Sequence, residues 1–355
     1  ENFMNDIRRT ILWVIFGFSM VLLWDQWQVH NGKKATFFPS PAQQVAPAAV
    51  GASGPLPAAS DAGVPAAVAQ AGTAMAPVAP VAPTAPKERF EVTTDVLKLT
   101  FDTEGGSLVR TEFLKYSDMA DKTRNFVLLD DSKDRVYMAQ TGVIAGAAGG
   151  AFPTHKTPMA VTGERVLKEG ANELVVKFTS PDVGGIKLVK TYTLRRGAYD
   201  ATVKHELTNT STAAIAPQLY LQLVRDGNKP AGESSFYSTF TGPAVYTEAK
   251  KYQKAEFSDI KKKNVDVEKQ ASNGYIAMVQ HYFASAWILP DGMQRNLSLD
   301  AVDIGASVPD CCYRATMIAP LEAIAPGATK VVDAKFFAGP QEEKMLESLA
   351  PGLEL

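Results

Sequence analysis

Residues 90–116, FEVTTDVLKLTFDTEGGSLVRTEFLKY, decide the fold. Apolar and polar residues alternate through FEVTTDVLKLTF, a glycine-rich DTEGG follows, and SLVRTEFLKY alternates again. A period of two puts every second side chain on one face of an extended chain, so the stretch reads as a hairpin. Runs of the same kind recur downstream as NELVVKFTS, IKLVKTYTLRR, DATVKHELTN, APQLYLQLV, GYIAMVQ, FASAWIL, NLSLDAV, YRATMIA and KVVDAKFFAG, parted by Gly, Pro, Asn or Asp. Without helical patterns of 10 to 15 residues between them, βαβ units are excluded. An all-β, antiparallel sandwich over residues 87–339 is predicted. GPQEEKMLESLAPGLEL, residues 339–355, sets Met345, Leu346 and Leu349 at helical spacing, which predicts one short amphipathic helix within 340–355.

The N-terminal end has another character. Glu1, Asn2 and Phe3 read as an addition ahead of a natural start at Met4, and residues 4–38 read as a cytoplasmic tip and a signal anchor. Arg8 and Arg9 precede an uncharged run, residues 11–24, that includes Ile11, Trp13, Phe16, Leu22, Leu23 and Trp24. Counted from Ile7 to the interfacial Trp27, the segment has 21 residues and a helical length of about 31 Å, matching a hydrocarbon core of about 30 Å. DQWQVHNGKK follows it, where a signal peptidase requires small residues, so an uncleaved span is expected. The flanking arginines place its N-terminus in the cytoplasm and the rest of the chain across the membrane. Residues 39–86 hold ten prolines among 48 residues, many alanines and almost no charge, the composition of a disordered tether.

The balance of the chain excludes several classes of function. Its net charge of −2 gives no field for nucleic acid, and the adjacent Cys311 and Cys312 cannot staple distant segments. Two unpaired thiols are expected, with a vicinal disulfide the alternative. His30, His155, His205 and His281 lie at no metal spacing, and no phosphate-loop, dinucleotide or nucleophile-elbow motif occurs. No catalytic residue, metal or cofactor is therefore expected. GVIAGAAGGAF, residues 142–152, reads as a flexible loop. The adjacent pair His205 and Glu206 falls on a predicted strand, where neighbours face opposite ways and cannot share a substrate. Residues 275–288, YIAMVQHYFASAWI, read as core strand. KKYQKAEFSDIKKKN, with Tyr246 just before it, interleaves Lys250, Lys251, Lys254, Lys261, Lys262 and Lys263 with Tyr252 and Phe257. That pattern can mark a docking surface, and a solvated, mobile loop face is the favoured plainer reading.

Several of these blocks together resemble a known family. MNDIRRTILWVIFGFSMVLLWDQWQ, the Pro/Ala linker, TDVLKLTFDTEGGSLVRTEFLKY, GYIAMVQHYFASAWIL and FFAGPQEEKMLESLAPGLEL are similar, in order, to the N-terminal part of the YidC membrane-protein insertases of Gram-negative bacteria. The resemblance implies a first transmembrane helix and a periplasmic β-supersandwich of the galactose-mutarotase kind. It also implies an insertase core of five later membrane helices around an arginine, which lies beyond this sequence and for which Arg8 and Arg9 cannot stand in. The implied role is non-enzymatic: support for insertion and folding of nascent inner-membrane proteins, with docking of the Sec translocon and its SecD/SecF subunits expected at residues 246–263. The terminal helix is expected to lead toward that membrane core. A carbohydrate-binding sandwich and a periplasmic chaperone are the alternatives.

Overall fold

The structure is a computed structural model that describes residues 63–68, 87–145, 151–230 and 239–350. The expected span with Arg8, Arg9, Ile11, Trp13, Phe16, Leu22, Leu23, Trp24 and Trp27, and most of the expected tether, lie outside the described residues. Among the described residues, two sheets of nine strands each account for nearly all regular structure. The first runs, in spatial order, β1 (Arg89–Thr93), β2 (Leu97–Asp102), β3 (Ser107–Ser117), β4 (Asn125–Asp131), β5 (Val136–Ala145), β10 (Pro217–Arg225), β17 (Tyr313–Pro320), β16 (Arg295–Ala301) and β13 (Gln270–Ala271). The second runs β12 (Lys251–Lys254), β11 (Thr241–Thr247), β14 (Tyr275–Gln280), β15 (Phe283–Ile288), β18 (Thr329–Pro340), β9 (Asp200–Asn209), β8 (Ile186–Arg195), β7 (Glu173–Thr179) and β6 (Ala160–Gly163). Neighbouring strands pair antiparallel, as in β8 with β9 and β10 with β17. Helix α1 (Phe257–Lys261) and helix α2 (Glu343–Leu349) complete the fold.

Alternation builds the core. On β8 the inward apolar positions include Leu188, Tyr192 and Leu194, and on β10 they are Leu219, Leu221 and Leu223, all buried in one cluster between the sheets. Phe113 of β3 stacks on Phe126 and Phe283 with centroids 5.9 and 5.1 Å away, joining the sheets through aromatic faces. The β2–β3 hairpin turns through Gly105 and Gly106, both at positive φ, and a Cβ at Gly105 would lie 2.3 Å from the His155 carbonyl oxygen. Only glycine permits that approach.

Three expectations need correction. The glycine-rich residues 142–152 are not simply a loop, because Gly142 through Ala145 complete β5. Gly142 is small because the Tyr220 hydroxyl occupies the space of its missing Cβ, 2.4 Å from where that atom would be. Strands β4, β5, β6, β11, β12 and β13 were not anticipated, since both faces of β5 are covered and its sequence shows no alternation. The sulfurs of Cys311 and Cys312 meet as a vicinal disulfide, the alternative to separate thiols.

Helix α2 turns its apolar side into the sandwich. Leu346 is 2% exposed within the main core cluster, and Met345 and Leu349 pack against it. Glu342, just before the helix, accepts a hydrogen bond from the Tyr116 hydroxyl at 2.9 Å. Truncating Leu346→Ala should cost about 2–4 kcal/mol through lost burial and the cavity left behind, read as a lower urea midpoint at unchanged m. An unshifted midpoint would show that the helix does not contribute to this core.

Candidate functional site

The β11–β12 hairpin brings the lysine-rich segment to an open sheet edge. Tyr246 pairs with Tyr252 and Thr247 with Lys251, leaving β12 with a neighbour on one side only among the described residues. Tyr246 is buried and stacks on Tyr275 at 5.2 Å, and Phe257 is buried against the Tyr313 ring at 4.6 Å. These two aromatics anchor the segment and offer nothing to a partner, which corrects their place in the expected docking set. Tyr252 is half-buried. Lys250, Lys251, Lys254, Lys261, Lys262 and Lys263 all stand in solvent. The Lys254 ammonium lies 5.3 and 5.5 Å from the centres of the Tyr252 and Phe240 rings, and Lys261 reaches Asp310 at 3.7 Å. Charged side chains on an edge strand deter pairing with a stray strand, and the same charges attract an acidic surface.

Inside the sandwich a second polar group was hidden from sequence reading. Lys190 occupies an inward position of β8, fully buried, and its Nζ donates to the carbonyls of Gly105 and Thr141 at 2.6 Å each. The ammonium thus straps the second sheet to the β2–β3 turn and to β5. Burial pushes its pKa down to about 7. Across the β8–β9 ladder sits His205, also fully buried, with Nε2 3.0 Å from Thr141 Oγ1 and a pKa held down to about 3 by burial and then by Lys190. Glu206 falls on the opposite face of β9, so the two do not converge on a common substrate. His155 is buried beside the Tyr220 hydroxyl, 2.7 Å from its Nδ1, and His281 contacts Thr239 at 2.8 Å. His155, His205 and His281 serve separate local bonds, and His30 lies outside the described residues.

Comparison with known proteins settles the family. The family model for the YidC periplasmic domain matches residues 89–355. The chain belongs to the YidC family. It is 47% identical over 353 residues to a membrane protein insertase YidC from Bordetella parapertussis, covering 99% of this chain and 61% of that protein. A relative of the same name from Cupriavidus taiwanensis is 49% identical over 357 residues, again covering 99% and 61%. The chain thus spans about three-fifths of the length of these YidC relatives. Among solved structures, a galactose mutarotase-like protein from Lactobacillus casei overlays with a TM-score of 0.44 at 10% identity, covering 71% of this chain and all of that one. The sandwich architecture stands on the two sheets themselves.

The buried bases make stability depend on pH. Lys190 holds its proton less tightly folded than unfolded, so between pH 7 and about 10 the unfolded chain binds more protons and stability rises with pH. The gain should approach about 1.4 kcal/mol per pH unit within that window, and Lys190→Met should flatten it. On the acid side, His205 contributes stability that is present above about pH 6.5 and lost as pH falls toward 3. Urea titrations at a series of pH values measure both slopes. A flat profile from pH 7 to 9.5 would contradict the burial of a lysine at this site.

Proposed function

We propose that this chain is the anchor and periplasmic domain of a membrane-protein insertase, in which residues 7–27 span the inner membrane with the N-terminus cytoplasmic. The match of residues 89–355 to the YidC periplasmic domain, with insertases as relatives over nearly the whole chain, carries this reading. On it, the whole protein aids insertion and folding of nascent inner-membrane proteins, and the sandwich contributes binding and support without chemistry of its own. The burial of His205, with Glu206 facing away, favours this over a sugar-active reading.

Within the domain, the lysine edge of β12 and α1 is the surface we assign to docking of the Sec translocon through its SecD/SecF subunits. Six exposed lysines stand there, Lys250, Lys251 and Lys254 on the hairpin and Lys261, Lys262 and Lys263 at the end of α1, with buried Tyr246 and Phe257 anchoring the two elements, so a partner with a matching acidic face would meet charges already in place. Reversing Lys250→Glu, Lys251→Glu and Lys254→Glu should weaken binding to reconstituted SecD/SecF about tenfold or more at low salt, with the difference shrinking as salt rises. Lys250 and Lys251 are exposed and the Lys254 ammonium touches only the Tyr252 and Phe240 rings among the described residues, so the thermal midpoint should fall little. Undiminished binding by the triple variant would remove the assignment.

A further inference from the structure

The outer face of the first sheet holds a short length of the chain's own proline-rich segment, residues 63–68. On β10, Leu219, Leu221 and Leu223 point into the core, so Gln218, Tyr220 and Gln222 point outward, yet all are fully buried. Gln218 grips Val68 twice, donating from Nε2 to its carbonyl at 2.7 Å and accepting from its N–H at 2.9 Å. At the other end the Gly63 carbonyl accepts from Gln222 Nε2 and from Arg314 Nη1, each at 3.0 Å. Val64 and Val68 pack on Tyr220, Ile144 and Ile318 between these clamps. Gln218 and Gln222 are four residues apart on a strand, about 13 Å, and the five steps from Gly63 to Val68 cover about 15 Å when extended as polyproline II. The span matches an extended peptide running along β10.

Two features bear on what this strip can hold. Every polar contact made to residues 63–68 goes to their backbone, so recognition is of an extended chain with a small first residue and apolar side chains at the valine positions. Beside the clamp, Gln222 Oε1 and Thr316 Oγ1, on the paired position of β17, are buried with no hydrogen-bond partner among the described residues. Pro65 has no N–H to offer them. The Arg314 charge is already met by Asp300, at 2.9 and 2.6 Å, which leaves the strip neutral and suited to an uncharged ligand. Each bond's net gain is at most comparable to the cost of ordering one residue, and four bonds serve six residues, so the polar contacts alone hold the segment weakly.

We propose that Gln218, Gln222, Thr316 and Arg314 form a binding site for an extended, uncharged peptide segment supplied in trans, and that residues 63–68 fill it as a displaceable placeholder. This does not rest on the lysine edge, and it would give the domain a means of holding an extended stretch of another chain. The placeholder competes at the high effective concentration of an intramolecular ligand. The probe is a peptide of residues 61–70, DAGVPAAVAQ, with a diazirine-bearing leucine in place of the valine at 68. It is applied to the full chain and to the full chain carrying Val64→Asp and Val68→Asp, which vacates the strip.

The expected result is photocrosslinking to residues of β5, β10 and β17 that is at least about tenfold stronger in the vacated chain, and that falls away when Gln218→Ala is added. Equal labelling of both chains, labelling elsewhere, or indifference to Gln218→Ala would overturn the proposal. A second measurement uses the unmodified chain alone: amide exchange at Val68 should quicken when the unlabelled peptide is added in millimolar excess. Unchanged exchange would equally overturn it. Binding of SecD/SecF to the same chains reports separately on the lysine edge.

Discussion

Strand β10 lies in the middle of the first sheet and is covered on both faces, and much of the domain is arranged to meet that constraint. Its inward leucines require the second sheet, and its outward Tyr220, Gln222 and Val224 require something over the sheet's back. Residues 302–312, between β16 and β17, supply one cover, with Val308 and Cys312 against Val136, Met138 and Val224. Residues 63–68 supply the other. Gly142 follows from the same demand, because the ring of Tyr220 needs the volume that a side chain would take.

The sheets are joined across the core by polar groups as well as by apolar packing. Lys190 reaches two carbonyls of the opposite sheet, Tyr192 donates to the Gly106 carbonyl at 3.1 Å, and the Trp287 indole donates to the Gln222 carbonyl at 3.1 Å. Each of these bonds fixes how one sheet sits over the other, which nondirectional apolar contact does poorly. The cost is a lysine held without an acidic partner among the described residues, and the depressed pKa is its expression. A group so enclosed orders the structure and does not meet solutes, as is also true of His205.

The lysine edge combines two demands on one surface. An edge strand must not recruit stray strands, and lysines on β12 answer that need. On the proposed docking role, the same cations would also present a charged surface to a partner without changing the fold. The aromatic residues interleaved with those lysines look, in sequence, like part of the surface. In the structure Tyr246 and Phe257 face inward, so the segment divides by residue type into anchor and rim.

What the sequence determined by itself was whatever follows from local periodicity: the alternating runs are strands, the Leu346 spacing is a helix, and His205 and Glu206 part to opposite faces. The family, too, was legible in contiguous blocks. Strand β5 was not, because doubly covered strands lose alternation, and neither was the role of Lys190, since nothing nearby in sequence says that an inward lysine will find two carbonyls on another sheet. The docking of residues 63–68 was hidden for the same reason: a proline- and alanine-rich stretch carries no pattern of its own, and the groups that hold it, Gln218, Gln222 and Arg314, are 150 to 251 residues away along the chain. Contacts of that separation are decided only when the sheets come together, and there the sequence alone is silent.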